Sequence, residues 1–490
     1  MDRIRLNLNI VSNVISLVIR VVVTLVLTPV YLSSMGHYDY GIWQVVISLI
    51  GYMGLLDLGT RTAIVRFVAQ LEAKNDYDGI NLVYSTSMFF LGTIGLTRCV
   101  FIWLYTYLDL SDWGSGELKY RYLLLIIGFS VFLSFCRNAA EGVIEGKQNF
   151  HIKNIINSGI TILSSAYLYT ALEPGNAIVV LALTTAVAAS VRLAVFMLTI
   201  RLSVSPAYIN VRPSLSVFIK MLRYGTKSFI NGVSFSIQSA SPPIIIGLLL
   251  GPAYIVMYSI PASILSYLNN LIDAVAGVFL PLFTEGSELN FKDDIKNIYT
   301  FFSRHIIYWT LSILVIFNLV GAKFIDIWLN NQLSGESVSD IILILSFALF
   351  VEKINPLGSR LSMSMDKHLI FAKLRPLSAL LTIALSSVFV VSYGVEGIAI
   401  SLFIVHMIFS PIFLVHSCRL ISMPTSEYII KCVFLNVLQA LLLLLLGYAL
   451  LILFTPNNLL EIFLYTAVLL LFSLIQSLFF MRKTKASSFS

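Results

Sequence analysis

The sequence has 490 residues, 58% hydrophobic and 12% charged, with a formal net charge of +7. Soluble globular chains are about 45–50% apolar and about 25% charged, so a soluble enzyme is excluded, and so is a disordered chain, which needs low hydrophobicity and high charge. The positive balance does not point to nucleic acid, because the basic residues lie in short segments between apolar runs rather than on one face.

What remains is an all-α, polytopic membrane bundle. A spanning helix needs about 20 residues, because the hydrocarbon core is about 30 Å thick and a helix rises about 1.5 Å per residue. The apolar runs predict fourteen spans, at about 9–32, 40–63, 81–107, 120–140, 154–172, 177–200, 226–250, 254–281, 300–320, 339–357, 374–393, 397–418, 429–454 and 461–481. The first run ends at Pro29 without a small-residue cleavage site and reads as a span rather than a removed signal peptide.

Taken in chain order, the charges inside these runs are few. Arg20 sits mid-way along the first span. Asp57 and Arg61 lie one helical turn apart at the end of the second, with Arg66 beyond. Arg98 lies in the third span, Arg192 in the sixth and Asp273 in the eighth. Arg137 and Glu141 at the inner end of the fourth, and Glu352 and Lys353 at the inner end of the tenth, read as helix-end pairs whose long side chains reach the interface. Tyr40, Trp43, Tyr254 and Tyr258 read as interfacial belt residues, with stacking on sugar faces as the alternative.

An even number of spans puts both termini on one side. With that side in the cytoplasm, the inner segments carry twenty lysines and arginines and the outer segments only Lys119, Arg121 and Lys323. The positive-inside rule then predicts a multi-pass protein of the cytoplasmic membrane with both ends inside. The longest outer loop, Gly321 to Ser339, is too short for a folded catalytic domain.

The chain also repeats. Gly36 precedes Tyr40, Trp43 and Asp57, and Gly251 precedes Tyr254, Tyr258 and Asp273, with Pro29 in the helix before one and Pro242 and Pro243 in the helix before the other. The offset of about 215 residues predicts two six-helix lobes, 1–205 and 206–420, with 421–490 adding two further spans and a short tail. Parallel repeats around a central cavity are a transporter plan.

A lipid-facing arginine at mid-membrane costs roughly 2.5–3.5 kcal/mol, so Arg20, Arg61, Arg98 and Arg192 together would cost roughly 10–14 kcal/mol. That rivals the whole net stability of a folded domain, about 5–15 kcal/mol. These arginines are therefore expected to face partners or water. Asp57 can hold Arg61 across one turn and Asp273 can hold one more, which leaves a cationic surplus lining a wet cavity. Guanidinium keeps its proton and grips phosphate bidentately, so the expected passenger is an anion such as a pyrophosphate headgroup. Asp57 and Asp273 are the candidates for coupling to a proton or sodium ion.

Signs of covalent chemistry are lacking. The six histidines are scattered, no phosphate-binding Gly-Lys loop occurs, and Cys99, Cys136, Cys418 and Cys432 form no Cys-x-x-Cys pair. Neither enzyme activity, metal, cofactor nor disulfide is expected.

The run from Thr28 to Gln70, with Pro29, Gly36, Tyr40–Gly41–Ile42–Trp43, Leu55–Leu56–Asp57–Leu58–Gly59 and Arg66, resembles the opening of bacterial polysaccharide flippases of the O-antigen type. These belong to the multidrug/oligosaccharidyl-lipid/polysaccharide exporter superfamily. The stretch EGVIEGKQNF from Glu141 to Phe150, and Leu250–Gly251–Pro252–Ala253 with Tyr258, are further points of likeness. The resemblance implies translocation of an undecaprenyl-pyrophosphate-linked oligosaccharide from the inner to the outer leaflet, by alternating access coupled to an ion gradient, with cavity arginines engaging the anion and a polysaccharide polymerase as a possible partner. A drug/cation antiporter of the same superfamily would favour interior acids instead. A membrane glycan polymerase or ligase would need a large outer loop.

Overall fold

The computed structural model describes residues 3–54, 59–108, 118–204, 213–288, 292–333 and 336–488. Every element among them is helical. Seven long helices run to the middle of the chain: α1 (Arg3–Gly54), α2 (Thr60–Glu72), α3 (Tyr77–Tyr107), α4 (Leu118–Gly146), α5 (Phe150–Ala171), α6 (Ala177–Val204) and α7 (Leu215–Leu249). A 3-10 turn, Pro252–Tyr254, leads into α8 (Ile255–Gly277), α9 (Phe279–Glu288), α10 (Lys292–Trp328), α11 (Glu336–Glu352) and α12 (Gly358–Ser364). Then follow α13 (Leu369–Tyr393), α14 (Glu396–Leu420), α15 (Thr425–Tyr428), a π-helical turn Ile429–Phe434, α16 (Leu435–Leu453) and α17 (Leu459–Ser488).

Among the described residues, ten helices are long and apolar enough to cross a membrane, which makes this a multi-pass membrane protein. The first two expected spans share α1. Its 52 residues would reach about 78 Å if straight, far more than a bilayer, and the helix breaks at Gly36 (φ 70°, ψ 177°). The expected spans at α5, α7 and α11 also fall on helices. α11 has only 17 residues, and the apolar part of α7 is the short stretch Ser236–Leu249. α5 falls short in hydropathy for a reason that matters below: it carries Asn154, Asn157, Ser158 and Thr161.

Two expectations need correction. The second span is expected to run through residue 63, but Gly59 is left-handed at φ 72° and a new helix starts at Thr60. A Cβ at Gly59 would collide with the carbonyl of Gly225, so only glycine lets α2 begin against α7. Tyr40, Trp43 and Tyr258 are not belt residues but buried, Trp43 within the core of the first half; Tyr254 alone is exposed.

Gly251 (φ 106°, ψ 156°) breaks the chain between α7 and α8 as Gly36 breaks α1. Both conformations belong almost solely to glycine, and a Cβ would meet nothing within 4 Å at either position. Conformation rather than space requires glycine there.

The chain forms two compact units, Met1–Ala240 and Ser241–Ser490. The core of the first gathers Leu27, Ile42, Ile64, Val68, Leu91, Ile127, Val143 and Phe196. The core of the second gathers Phe279, Phe283, Tyr299, Leu361 and Tyr428, while α16 and α17 pack on α10 through Leu443, Tyr465 and Ile316.

Candidate functional site

Two packing motifs in the first unit build a polar site inside an apolar bundle. The first joins α1 to α5. The Asn9 side-chain carbonyl accepts from the His151 backbone N–H at 3.0 Å, Asn154 donates to Ser12 at 3.0 Å and to Asn13 at 2.7 Å, and Ser158 donates to Ser16 at 3.1 Å. The pairs 9 with 151, 12 with 154 and 16 with 158 keep one sequence offset of 142. The two helices therefore run parallel in register, joined by side chains three and four residues apart that share one face of each helix. Arg20 continues this face of α1 and donates to Ser16 at 3.3 Å.

The second motif joins α2 to α4. The sequence Glu141-Gly142-Val143-Ile144-Glu145-Gly146 places two glycines one turn apart, the small-residue spacing that lets helices approach closely. A Cβ at Gly142 would lie 2.8 Å from Ile64, and one at Gly146 would lie 2.6 Å from Val68. The carboxylates just before these glycines then meet Arg61. Its Nη2 lies 2.8 Å from Glu145 and 2.9 Å from Glu141, and its Nε donates to the second Glu145 oxygen at 3.3 Å. Lys153 closes on Glu145 at 2.7 Å, and Arg137 Nε stands 3.4 Å from Glu141.

Between these motifs lies a cavity of about 340 Å³. It is lined by Ser16, Ile19 and Arg20 of α1, Arg61 of α2, Arg137 and Glu141 of α4, Lys153, Asn154, Asn157, Ser158 and Thr161 of α5, and Arg192 of α6. Arg192 donates to Thr161 Oγ1 at 2.9 Å. The Nε atom of Arg192 is buried with no hydrogen-bond partner among the described residues. Five cationic side chains (Arg20, Arg61, Arg137, Lys153, Arg192) stand with two carboxylates (Glu141 and Glu145). The cluster holds a surplus of three positive charges in a polar hollow within an apolar bundle. It can hold an anion, and the Arg192 Nε–H group is a donor without an acceptor among the described residues.

A family model described as polysaccharide biosynthesis protein matches residues 7–287. The chain belongs to this family. The match takes in every residue of the cavity. A candidate O-antigen transporter of Shigella flexneri is 20% identical over 381 residues, covering 75% of this chain and 87% of that protein. Among solved structures, the lipid II flippase MurJ in an inward closed conformation has a TM-score of 0.75 at 15% identity, covering 97% of this chain and 99% of that one. An inward-facing multidrug resistance MATE transporter of the MOP superfamily has a TM-score of 0.69 at 15% identity, covering 82% and 94%. The fold of this polysaccharide biosynthesis family member is thus that of the exporter superfamily.

Of the six site residues expected from sequence, the structure brings three into one cavity: Arg20, Arg61 and Arg192. Asp57 lies outside the described residues, and the carboxylates seen on Arg61 come from α4. Asp273 is in the second unit, 3.3 Å from Lys353, which also lies 3.1 Å from Glu352. The partner of Asp273 is therefore a lysine where an arginine was expected. Arg66 sits over the ring of Tyr224, 4.2 Å from its centroid.

Arg98 stands apart from the cavity. It is 8% exposed, donates to the Met53 carbonyl at 2.6 Å and lies 4.1 Å from the ring centroid of Phe135. Met53 lies one residue before Gly54, the last described residue of α1. Arg98 thus ties α3 to α1. Replacing it with alanine removes a charge-assisted hydrogen bond worth about 1.5–3 kcal/mol. The expected outcome for Arg98→Ala is a lower melting temperature of the purified protein with anion affinity intact. Lost affinity at an unchanged melting temperature would return Arg98 to the site.

Proposed function

We propose that this protein is a flippase that moves an undecaprenyl-pyrophosphate-linked oligosaccharide from the cytoplasmic to the outer leaflet of the cytoplasmic membrane, and that the cationic cavity of the first unit receives the diphosphate. One observation carries this reading: five cations around a 340 Å³ hollow, set against two carboxylates. A diphosphate crossing about 30 Å of hydrocarbon unassisted would lose its hydration with nothing in return. Fixed guanidinium groups return that interaction, and in a site of low dielectric they do so strongly. Family membership and the likeness to a candidate O-antigen transporter support the same substrate class. A cationic drug would be repelled by this surplus.

In this reading Arg20, Arg61 and Arg192 hold the headgroup, with Arg137 and Lys153 beside them. Glu141 and Glu145 keep Arg61 in place, and the amide and hydroxyl groups of α5 serve polar parts of the passenger. Transport proceeds by alternating access driven by an ion gradient, with Asp57 and Asp273 as the groups that bind the coupling proton or sodium ion. The test is complementation. A strain lacking the gene is expected to lose surface glycan and regain it with the wild-type gene. Glycan display that persists undiminished in the deletion strain would sink the proposal.

A further inference from the structure

A second hollow, about 420 Å³, opens beside the cationic cavity between α5 and α6, and it is apolar. Its floor is formed by small side chains, among them Ser164, Thr184 and Ala188, and its rim by Leu163, Leu183 and Val187. The floor residue Ala188 is buried, whereas Leu163 and Val187 are 72% and 61% exposed. The trough is therefore open along its length to whatever surrounds the helices, and in a bilayer that is lipid chain.

Its inner end is fixed by the cavity. Ile160 and Val191 line the trough, and the next residues, Thr161 and Arg192, line the cavity and hydrogen-bond to each other at 2.9 Å. From Val191 the trough follows α6 back to Val180, about 16 Å at a helical rise of about 1.5 Å per residue. That is about one leaflet of a hydrocarbon core about 30 Å thick. A polar cationic hollow and a leaflet-deep apolar trough thus meet at one pair of helices.

We infer that the α5–α6 trough holds the polyprenyl chain of the lipid whose diphosphate occupies the cationic cavity. The ligand class is a long isoprenoid diphosphate: its head is complementary to the surplus of positive charge, and its tail leaves the head along a trough that is apolar where it meets the cavity, at Ile160 and Val191. A free anion would use the cavity alone, and an uncharged lipid the trough alone. The inference rests on the reading of the cavity as a diphosphate site, and two probes separate the two ideas.

The full-length protein in nanodiscs is titrated with inorganic pyrophosphate, which is head only, and with undecaprenyl diphosphate, which is head and tail. Ala188→Phe fills the floor of the trough. It is expected to weaken undecaprenyl diphosphate about tenfold or more, equivalent to about 1.4 kcal/mol, and to leave pyrophosphate binding unchanged. Arg192→Gln is expected to weaken both. Wild-type affinity of Ala188→Phe for both probes overturns the trough but not the cavity, whereas wild-type affinity of Arg192→Gln for both overturns the cavity. A second measurement does not depend on filling a packed position. A photoreactive benzoylphenylalanine in place of the rim residue Leu183 is expected to cross-link undecaprenyl diphosphate, less so when combined with Arg192→Gln. A cross-link that phosphatidylglycerol abolishes by competition would make the trough a groove for ordinary bilayer chains and overturn the inference.

Discussion

Replacing Arg192 with glutamate is expected to abolish glycan display while leaving the protein in the membrane. Arg192 is held by one hydrogen bond to Thr161 and has no carboxylate within salt-bridge distance among the described residues. Its removal therefore leaves no buried acid stranded, unlike removal of Arg61. The substitution reduces the cavity from five cations against two carboxylates to four against three, so the surplus falls from three charges to one. Two unit charges about 4 Å apart interact by about 4 kcal/mol at an effective dielectric of about 20. Exchanging attraction for repulsion on a diphosphate should thus reduce transport by about a hundredfold or more. Arg192→Lys keeps the charge but loses the planar fork, and an intermediate loss is expected. Surface glycan and membrane abundance are the paired measurements. Full display by Arg192→Glu at normal abundance would remove this residue from the mechanism.

The second large effect is expected from a residue that touches no ligand. Gly146→Leu places a branched side chain where even a Cβ would stand 2.6 Å from Val68 and 2.9 Å from the Val65 carbonyl. One of those neighbours is backbone and cannot rotate away, so α2 must move off α4. Overpacking alone costs about 1–3 kcal/mol. Displacement also pulls Arg61 from Glu141 and Glu145, and breaking a buried pair costs about 3–5 kcal/mol. The Arg61 side chain is 33% exposed, so water softens that second term. Low membrane abundance and a lower melting temperature are expected, with loss of anion affinity in whatever protein folds. A Gly146→Leu protein with wild-type melting and affinity would show that the close contact of these helices does not position the site.

The polytopic helical class was legible because membrane helices announce themselves by length and apolarity, although fourteen spans were expected and ten helices among the described residues are long and apolar enough to cross. The interruption at Gly59 was not legible, because the need for glycine there comes from Gly225, which is remote in sequence. Interior arginines were found because charge in an apolar run is conspicuous. Their grouping was not, since mid-span position says nothing about which face a helix turns. Arg98 and Arg192 look alike in sequence, yet one donates to the Met53 carbonyl of α1 and the other lines a cavity. The polar face of α5 carried a usable signal: Asn154, Asn157, Ser158 and Thr161 recur at helical spacing, as do Asn9, Asn13, Ser16 and Arg20 on α1. Arg137 and Glu141 were read as a helix-end pair, and they are paired, but they also line the cavity. Glu145 and Lys153 were missed because their importance lies in contact with Arg61 and with each other.

The most direct test of an anion site in the first unit is a titration of inorganic pyrophosphate into the purified protein at low and high salt, alongside the double variant Arg20→Gln/Arg192→Gln. The wild type should bind saturably and less tightly as salt rises, and the double variant should be about a hundredfold weaker or worse. Equal binding by the two proteins, or none by the wild type at low salt, would contradict the account.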